Sequence, residues 1–393
     1  MQFLKQLGKR MVYAVAGYVK NTYIPLWLVT MCASVYSVML VYSATLNLDS
    51  FRTTLMQIVA CVVGYLAAIV ISLMDYEKLG ELWPIIAGVC VGLVGLTFFV
   101  GQGASGEYSL ADDQAWLNIF GVSFQPSELM KIGFLVTFSY HLSLTVRNKQ
   151  LNSLPHLLLL LAHIGFPAAL IVVQGDHGTA LMFLCMAAIM LIGSGISWKF
   201  IGACAGLVMV ALPIVWKIMP AFQRERIRAV YNPRPGDEED YLYQQTLGRL
   251  AVGSGGITGQ GWTEGKMIQS GYVPADHNDL IFTVAAEEFG FVGASLIIII
   301  LVSMMFMCLR TAMHSRDYMG RFICLGFFGL LAAQTIFNIG MCLVLLPVIG
   351  ITLPFFSAGG SSSMCLYFGF GLVLSVYMRS TEASRPFSMV RRA

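Results

Sequence analysis

The chain is written in long apolar blocks separated by shorter polar breaks, and the blocks have the length a helix needs to cross a bilayer. About 20 helical residues cover a hydrocarbon core about 30 Å thick. Ten blocks fit: Ile24–Ser43, Thr54–Leu73, Leu82–Val100, Pro126–Val146, Leu154–Val173, Gly178–Ile196, Phe200–Ile218, Leu280–Leu309, Phe322–Leu346 and Ser361–Met378. The pattern predicts an all-α integral membrane protein with about ten transmembrane helices and a long outer loop between the seventh and eighth. Gly195 and Ser197 separate the sixth and seventh blocks poorly, and Pro213 can kink the seventh without ending it.

Composition agrees. Apolar residues make up 57% of the chain and charged ones 11%, against roughly 45–50% and about 25% in soluble domains. Such a chain has too little polar surface for a water-soluble fold.

Lys and Arg set the orientation, because short cytoplasmic loops are enriched in them. With the N-terminus inside, the inner segments hold Lys5, Lys9, Arg10, Lys20, Lys78, Arg147, Lys149, Lys199, Arg310, Arg316, Arg321, Arg379, Arg385, Arg391 and Arg392. The short outer loops hold Arg52 and little else. The expected organisation is a cytoplasmic segment 1–23, a membrane domain 24–378 that includes the outer loop 219–279, and a cytoplasmic tail 379–393. Met1–Asn21 lacks an apolar core ending in a small-residue cleavage site, so the first span is expected to serve as a retained targeting signal. All nine cysteines lie in predicted spans without CxxC spacing, which argues against a disulfide framework or a structural zinc site. The net charge of +3 follows from the inside bias and implies no nucleic-acid partner.

Polar residues gather in a few places. Between Gly101 and Phe124, Asp112-Asp113-Gln114-Ala115-Trp116 puts an aromatic ring among polar groups at the membrane surface. The loop after the seventh block carries a basic cluster (Arg224, Arg226, Arg228, Arg234), an acidic run (Asp237, Glu238, Glu239, Asp240) and the glycine-rich stretch 253–261. That stretch lacks the Gly-Lys-Ser/Thr ending of a Walker loop, yet its backbone N–H groups could turn toward an anion, or let the chain dip between helices. Ionisable groups within spans are costly and mark function. Glu128 and Lys131, three residues apart, share a helix face and can neutralise one another. Asp176 ends the fifth block, where it could also cap the next helix. Asp276-His277-Asn278-Asp279 opens the eighth block, Glu287-Glu288 follows, and the irregular stretch 346–362 must be buried in protein or line a wet cavity. By the assigned topology these elements meet on the outer side, so a shared cavity is expected there.

Taken in order, Gln-Pro-Ser-Glu at 125–128, Gly-Ser-Gly-Gly and Gly-Gln-Gly within 253–261, His-Asn-Asp-Leu-Ile-Phe at 277–282, Glu-Glu-Phe-Gly at 287–290, and Leu-Pro-Phe with Gly-Gly-Ser-Ser within 353–362 resemble the SEDS family (shape, elongation, division and sporulation), which includes RodA and FtsW. The likeness runs from about residue 25 to 380. It implies ten helices in the bacterial cytoplasmic (inner) membrane and a peptidoglycan glycosyltransferase that polymerises lipid II at the outer face. It also implies a class B penicillin-binding protein as partner, with other proteins of cell-wall synthesis. Asp279 then matches the catalytic aspartate, Glu128, Lys131 and Asp176 match cavity residues, and Trp116 matches the outer-loop tryptophan. The substrate-binding set is completed by Gln125, Gly255, Gly256, His277, Ser361 and Ser362. Ala115 stands where the family usually has Arg, Asn278 replaces Thr, Gly175 and His177 flank Asp176 where Pro and Leu are common, and Ala358 replaces an aromatic.

For such a reaction Asp279 would serve as base, and Lys131, the Arg224–Arg228 cluster and the glycine run are the available donors to a leaving pyrophosphate. A divalent cation, Mg²⁺ or Mn²⁺, could be held by Glu128 or Asp176, although no sequence pattern defines a metal site. The rival readings are a lipid-precursor flippase or transporter, since charges in helices also mark translocation pathways, and a non-catalytic scaffold. The one-sided clustering and the absence of an internal repeat disfavour a transporter. A scaffold leaves Asp279 without a role.

Overall fold

The computed structural model describes residues 16–46, 51–101, 115–119, 122–238, 240–274 and 277–383. Asp112, Asp113, Gln114, Glu239, Asp276 and most of both terminal segments lie outside the described residues. The elements in chain order are α1 (Ile24–Ala44), α2 (Phe51–Leu73), α3 (Tyr76–Glu81), α4 (Trp83–Val100), β1 (Leu117–Ile119), β2 (Val122–Phe124), α5 (Pro126–Arg147), α6 (Leu154–Val173), α7 (His177–Ser194), α8 (Trp198–Ile218), α9 (Ala221–Tyr231), α10 (Tyr243–Ser254), α11 (Lys266–Gln269), α12 (Ile281–Met313), α13 (Tyr318–Cys342) and α14 (Gly360–Ala383). All the helices except α3, α9, α10 and α11 are long and apolar enough to cross a membrane, which makes ten among the described residues. Large apolar side chains such as Val35, Leu66, Phe99 and Phe306 face outward from them, which lipid tolerates and water would not.

The boundary between the sixth and seventh spans is sharper than the sequence suggested. Gly195 takes a left-handed conformation (φ 79°, ψ 25°) that terminates α7, and Ser197 precedes α8 in an extended one. Glycine alone adopts the first geometry without strain, so the break is built into the chain. Pro213 remains inside α8.

Three helices form the centre. The share of apolar span buried is 83% for α14, 72% for α5 and 67% for α13, whereas α8 buries none of its residues. Small residues allow close packing: a side chain on Gly64 of α2 would strike the Tyr367 ring of α14, and Gly371 of α14 lies against the Ala68 backbone. The polar residues singled out from the sequence, Glu128, Lys131, Ser361 and Ser362, sit on these central helices rather than on the lipid-facing ones.

The eighth span is two helices joined at a kink. Gly290, at φ 66° and ψ −159°, breaks α12 after a first piece buried from Ile281 to Glu288. The glycine-rich stretch fills the break. Gln260 and Gly261 donate backbone N–H groups to the carbonyls of Glu287 and Glu288 (both 3.0 Å), while Phe291 donates back to Gly256 (2.9 Å) and Val292 to Ile257 (3.2 Å). A Cβ at Gly255 would collide with the Ala286 carbonyl, and one at Gly259 with that of Glu288. The buried Glu287 then accepts from the backbone N–H groups of Met267 (2.8 Å) and Ile268 (3.0 Å), anchoring α11. The long loop is thus folded onto the bundle rather than solvated, with Gln245 of α10 donating to the carbonyls of Met341 and Leu346.

Candidate active site

Asp279 lies in the turn before α12, half-buried, and its main chain is held from three sides. Its carbonyl accepts from Asn338 Nδ2 of α13 at 2.8 Å. The preceding carbonyl, of Asn278, accepts from Ser357 Oγ at 2.7 Å, and that of His277 from the backbone N–H of Ala358 at 2.8 Å. Asn338 also donates to the Ile351 carbonyl at 2.7 Å, so a single buried amide ties the Asp279 turn to the irregular α13–α14 connection. That connection is itself constrained: Phe355 is buried at φ 66°, a region uncommon for a bulky side chain. Gln57 of α2 reaches it too, with its Oε1 accepting from the Gly359 N–H.

The Asp279 carboxylate faces the backbone of Gly350, where a Cβ would sit 3.9 Å from its Oδ2. Burial pushes the carboxyl up from its ordinary 3.8 to about 6, the negative charge of Asp176 adds to the rise and His277 opposes it. A carboxylate with this affinity for protons is a better base than a solvated one.

Asp176 does two jobs. Its Oδ1 accepts from the Thr179 N–H at 2.9 Å and caps α7, as the sequence allowed. Its Oδ2 accepts from Gln125 Nε2 at 2.9 Å, joining α7 to the entrance of α5. Gln125 in turn uses its backbone N–H to reach Ser361 Oγ (3.3 Å), and Ser362 Oγ lies 3.1 Å from Thr352 Oγ1. Gln125, Asp176, Ser361 and Ser362 therefore form one connected rim. Trp116 is half-buried at the base of the β1–β2 hairpin, whose second strand leads into Gln125.

Glu128 and Lys131 form the ion pair that their spacing predicts, 2.8 Å apart, with side chains only 7% and 2% exposed. Breaking such a pair leaves an unmatched buried charge.

Two expected anion donors are otherwise engaged. The N–H groups of Gln260 and Gly261 bond the carbonyls of α12, so the stretch containing Gly255 and Gly256 serves packing, about two helical turns beyond Asp279. Arg228 makes a bidentate pair with Asp237 (2.7 and 2.9 Å) and also meets Glu225. Arg226 stacks on Phe222 and reaches the Val348 carbonyl (3.5 Å), leaving Arg224 as the member of the Arg224–Arg228 cluster without a side-chain partner among the described residues. Glu128 and Asp176 do not build a metal centre: one is neutralised by Lys131, the other is taken by Gln125 and Thr179, and no group of three ligating side chains occurs among the described residues. Sequence reasoning missed Asn338, Gln57 and Ser357. The readable signal was an amide inside an otherwise apolar span, alone at Gln57 and in company with Gln334 at Asn338.

A model of the FtsW, RodA and SpoVE cell cycle proteins matches residues 21–382. The chain is 33% identical to peptidoglycan glycosyltransferase MrdB of Escherichia coli over 276 residues, which is 69% of this chain and 73% of that one. It is 32% identical over 364 residues, 90% of this chain and 94% of the relative, to a probable peptidoglycan glycosyltransferase FtsW of Geobacter sulfurreducens. Among solved structures it resembles a chain of a peptidoglycan synthase complex that coordinates polymerization and crosslinking, with TM-score 0.73, 26% identity and coverage of 91% and 98%. It also resembles the rod shape determining protein RodA of Thermus thermophilus, with TM-score 0.65, 25% identity and coverage of 91% and 96%. With nearly its whole length matched in sequence and in fold, this chain belongs to the FtsW/RodA/SpoVE family of cell cycle proteins.

Proposed function

We propose that this protein is a peptidoglycan glycosyltransferase that polymerises lipid II at the outer face of the bacterial cytoplasmic membrane, with both termini in the cytoplasm. The observation that carries this reading is the half-buried Asp279 carboxylate, whose turn is clamped by Asn338, Ser357 and Ala358 and whose proton affinity is raised. Family membership adds the reaction class.

In the proposed step, the sugar 4-hydroxyl of one lipid-linked disaccharide attacks the anomeric carbon of another. A C–O bond forms, the hydroxyl proton passes to Asp279, and the bond to the lipid pyrophosphate breaks with its electron pair leaving on phosphate oxygen. Lys131, held by Glu128, is the buried cation that can offset the growing charge, and Arg224 is a second candidate. The pyrophosphate itself brings the hard oxygen ligands that Mg²⁺ or Mn²⁺ favours. The divalent ion therefore accompanies the substrate in this proposal, since among the described residues no three ligating side chains group into a cage.

A class B penicillin-binding protein is the proposed partner, because polymerisation and crosslinking are coordinated in the complex to which one solved relative belongs. The test is to purify the chain with and without such a partner, supply lipid II and look for glycan polymer. Product under either condition upholds the reading, and none under both refutes it. Cysteines introduced at Glu238 and His314 should label from outside and inside respectively; the reverse pattern would overturn the orientation.

A further inference from the structure

Where α1 begins and α12 and α14 end, a cavity of about 540 Å³ opens between the three helices, at the opposite end of α12 from Asp279. Its walls include Thr22, Tyr23, Arg310, Thr311, His314 and Tyr377. The rings of Tyr23 and Tyr377 stack face to face with centroids 4.3 Å apart. Thr22 Oγ1 accepts from Trp27 Nε1 at 2.9 Å, which leaves its own O–H to donate. His314 Nδ1 lies 2.8 Å from the Arg310 carbonyl, and since a carbonyl can only accept, Nδ1 carries the proton.

Two of the arginines at this end differ. Arg379 is consumed by the structure: it donates to the carbonyls of Ser72 and Leu73 and to Ser375 Oγ, and it faces Asp75. Arg310 is exposed and, among the described residues, has no ion pair or side-chain hydrogen bond. No carboxylate is among the described residues that line the cavity, and two at the same end are occupied, Asp75 by Arg379 and the Glu77 N–H, and Asp317 by Tyr76 and the Gly320 N–H. Helix dipoles do not supply the attraction, because α1 presents its positive end while α12 and α14 present their negative ends. Arg310 decides the sign of the cavity.

An unengaged guanidinium with hydroxyl donors and tyrosine rings at the edge of a membrane domain matches the chemistry of a phosphate headgroup. Guanidinium binds phosphate through paired N–H groups, tyrosines settle at headgroup depth, and basic pockets between spanning helices take anionic headgroups. We propose that this cavity binds the phosphate of an anionic phospholipid, with Arg310 as the cation. The site is separate from the glycosyltransferase reading and does not rest on it.

The test uses the purified full chain in detergent, with thermal unfolding followed during titration with phosphatidylglycerol, phosphatidylcholine or inorganic phosphate. Phosphatidylglycerol should raise Tm saturably and phosphatidylcholine should not. Arg310→Gln should weaken the phosphatidylglycerol response about five-fold or more, Arg310→Lys should weaken it less, and Arg316→Gln should leave it unchanged. The Lys variant keeps the test valid if the Gln variant folds poorly. Equal responses of wild type and both Arg310 variants would overturn the proposal, as would equal stabilisation by the two lipids. An Arg310-dependent response to inorganic phosphate as strong as that to the lipid would overturn the lipid source.

Discussion

The side-chain amide of Asn338 donates to the main-chain carbonyl of Asp279 at 2.8 Å, from a helix that lies 59 positions along the chain. Because the same amide also holds Ile351, its loss strands the Ile351 carbonyl and leaves that of Asp279 only the long contact from Cys342 Sγ (3.7 Å). Leaving buried acceptors unpaired costs about 1–3 kcal/mol. Asn338→Ala should therefore lower Tm, and by loosening the turn it should reduce polymerisation about ten-fold or more while lipid II still binds. A variant with native turnover would remove Asn338 from the account as a positioning residue.

Asp279 makes a pH prediction with two signs. Its carboxyl titrates near 6 rather than 3.8. As a base it must be ionised, so activity should fall as pH drops through about 6. Its contribution to stability runs the other way: present in full below the ordinary value, it is lost as pH rises through about 6. Asp176→Asn keeps a competent helix cap but removes the neighbouring charge, and should move the acid limb of the pH–rate profile downward. A limb unchanged in that variant would contradict the proposed coupling.

Glu128 and Lys131 call for a double-mutant cycle. Removing one partner of a buried pair costs about 3–5 kcal/mol, whereas removing both can be nearly neutral. Glu128→Gln and Lys131→Met should each lower Tm, and together they should restore it. If Lys131 also steadies the pyrophosphate, turnover will stay low in the double variant. Recovery of Tm and turnover together would make the pair purely structural.

Gly290 is the joint on which the glycine-rich stretch closes. A Cβ there would collide with the Gly259 N–H, and the backbone at φ 66° and ψ −159° resists any L-residue. Gly290→Ala should destabilise the protein by about 3 kcal/mol or more. Gly92→Ala, which meets nothing within 4 Å, should be neutral or slightly stabilising. Equal Tm values for the two variants would show that the kink is adaptable.

The spans were legible because length and hydropathy belong to one segment at a time. Leu154–Val173 has the expected limits, and Thr54–Leu73 gains only one turn, to Phe51. Glu128–Lys131 was legible for the same reason, being one turn of one helix. What depends on a distant partner was not. The glycine stretch could equally cradle an anion or another backbone, and only the carbonyls of Glu287 and Glu288 decide between them. Arg228 looked available until Asp237 was placed beside it. The Gln125–Asp176 contact joins residues 51 apart, and no local pattern announces it.

Asp279 takes the proton in the proposed glycosyl transfer, and Asp279→Asn isolates that function because it preserves size and shape. Wild type and variant, each purified with a class B penicillin-binding protein, would be given lipid II, with bound substrate and glycan polymer measured in the same samples. Unchanged lipid II binding is expected, with an unchanged or higher Tm at neutral pH and a polymer yield lower by at least the roughly 10²–10⁴-fold typical of a lost general base. Polymer at near wild-type yield from the Asn variant would contradict the role of Asp279 as base.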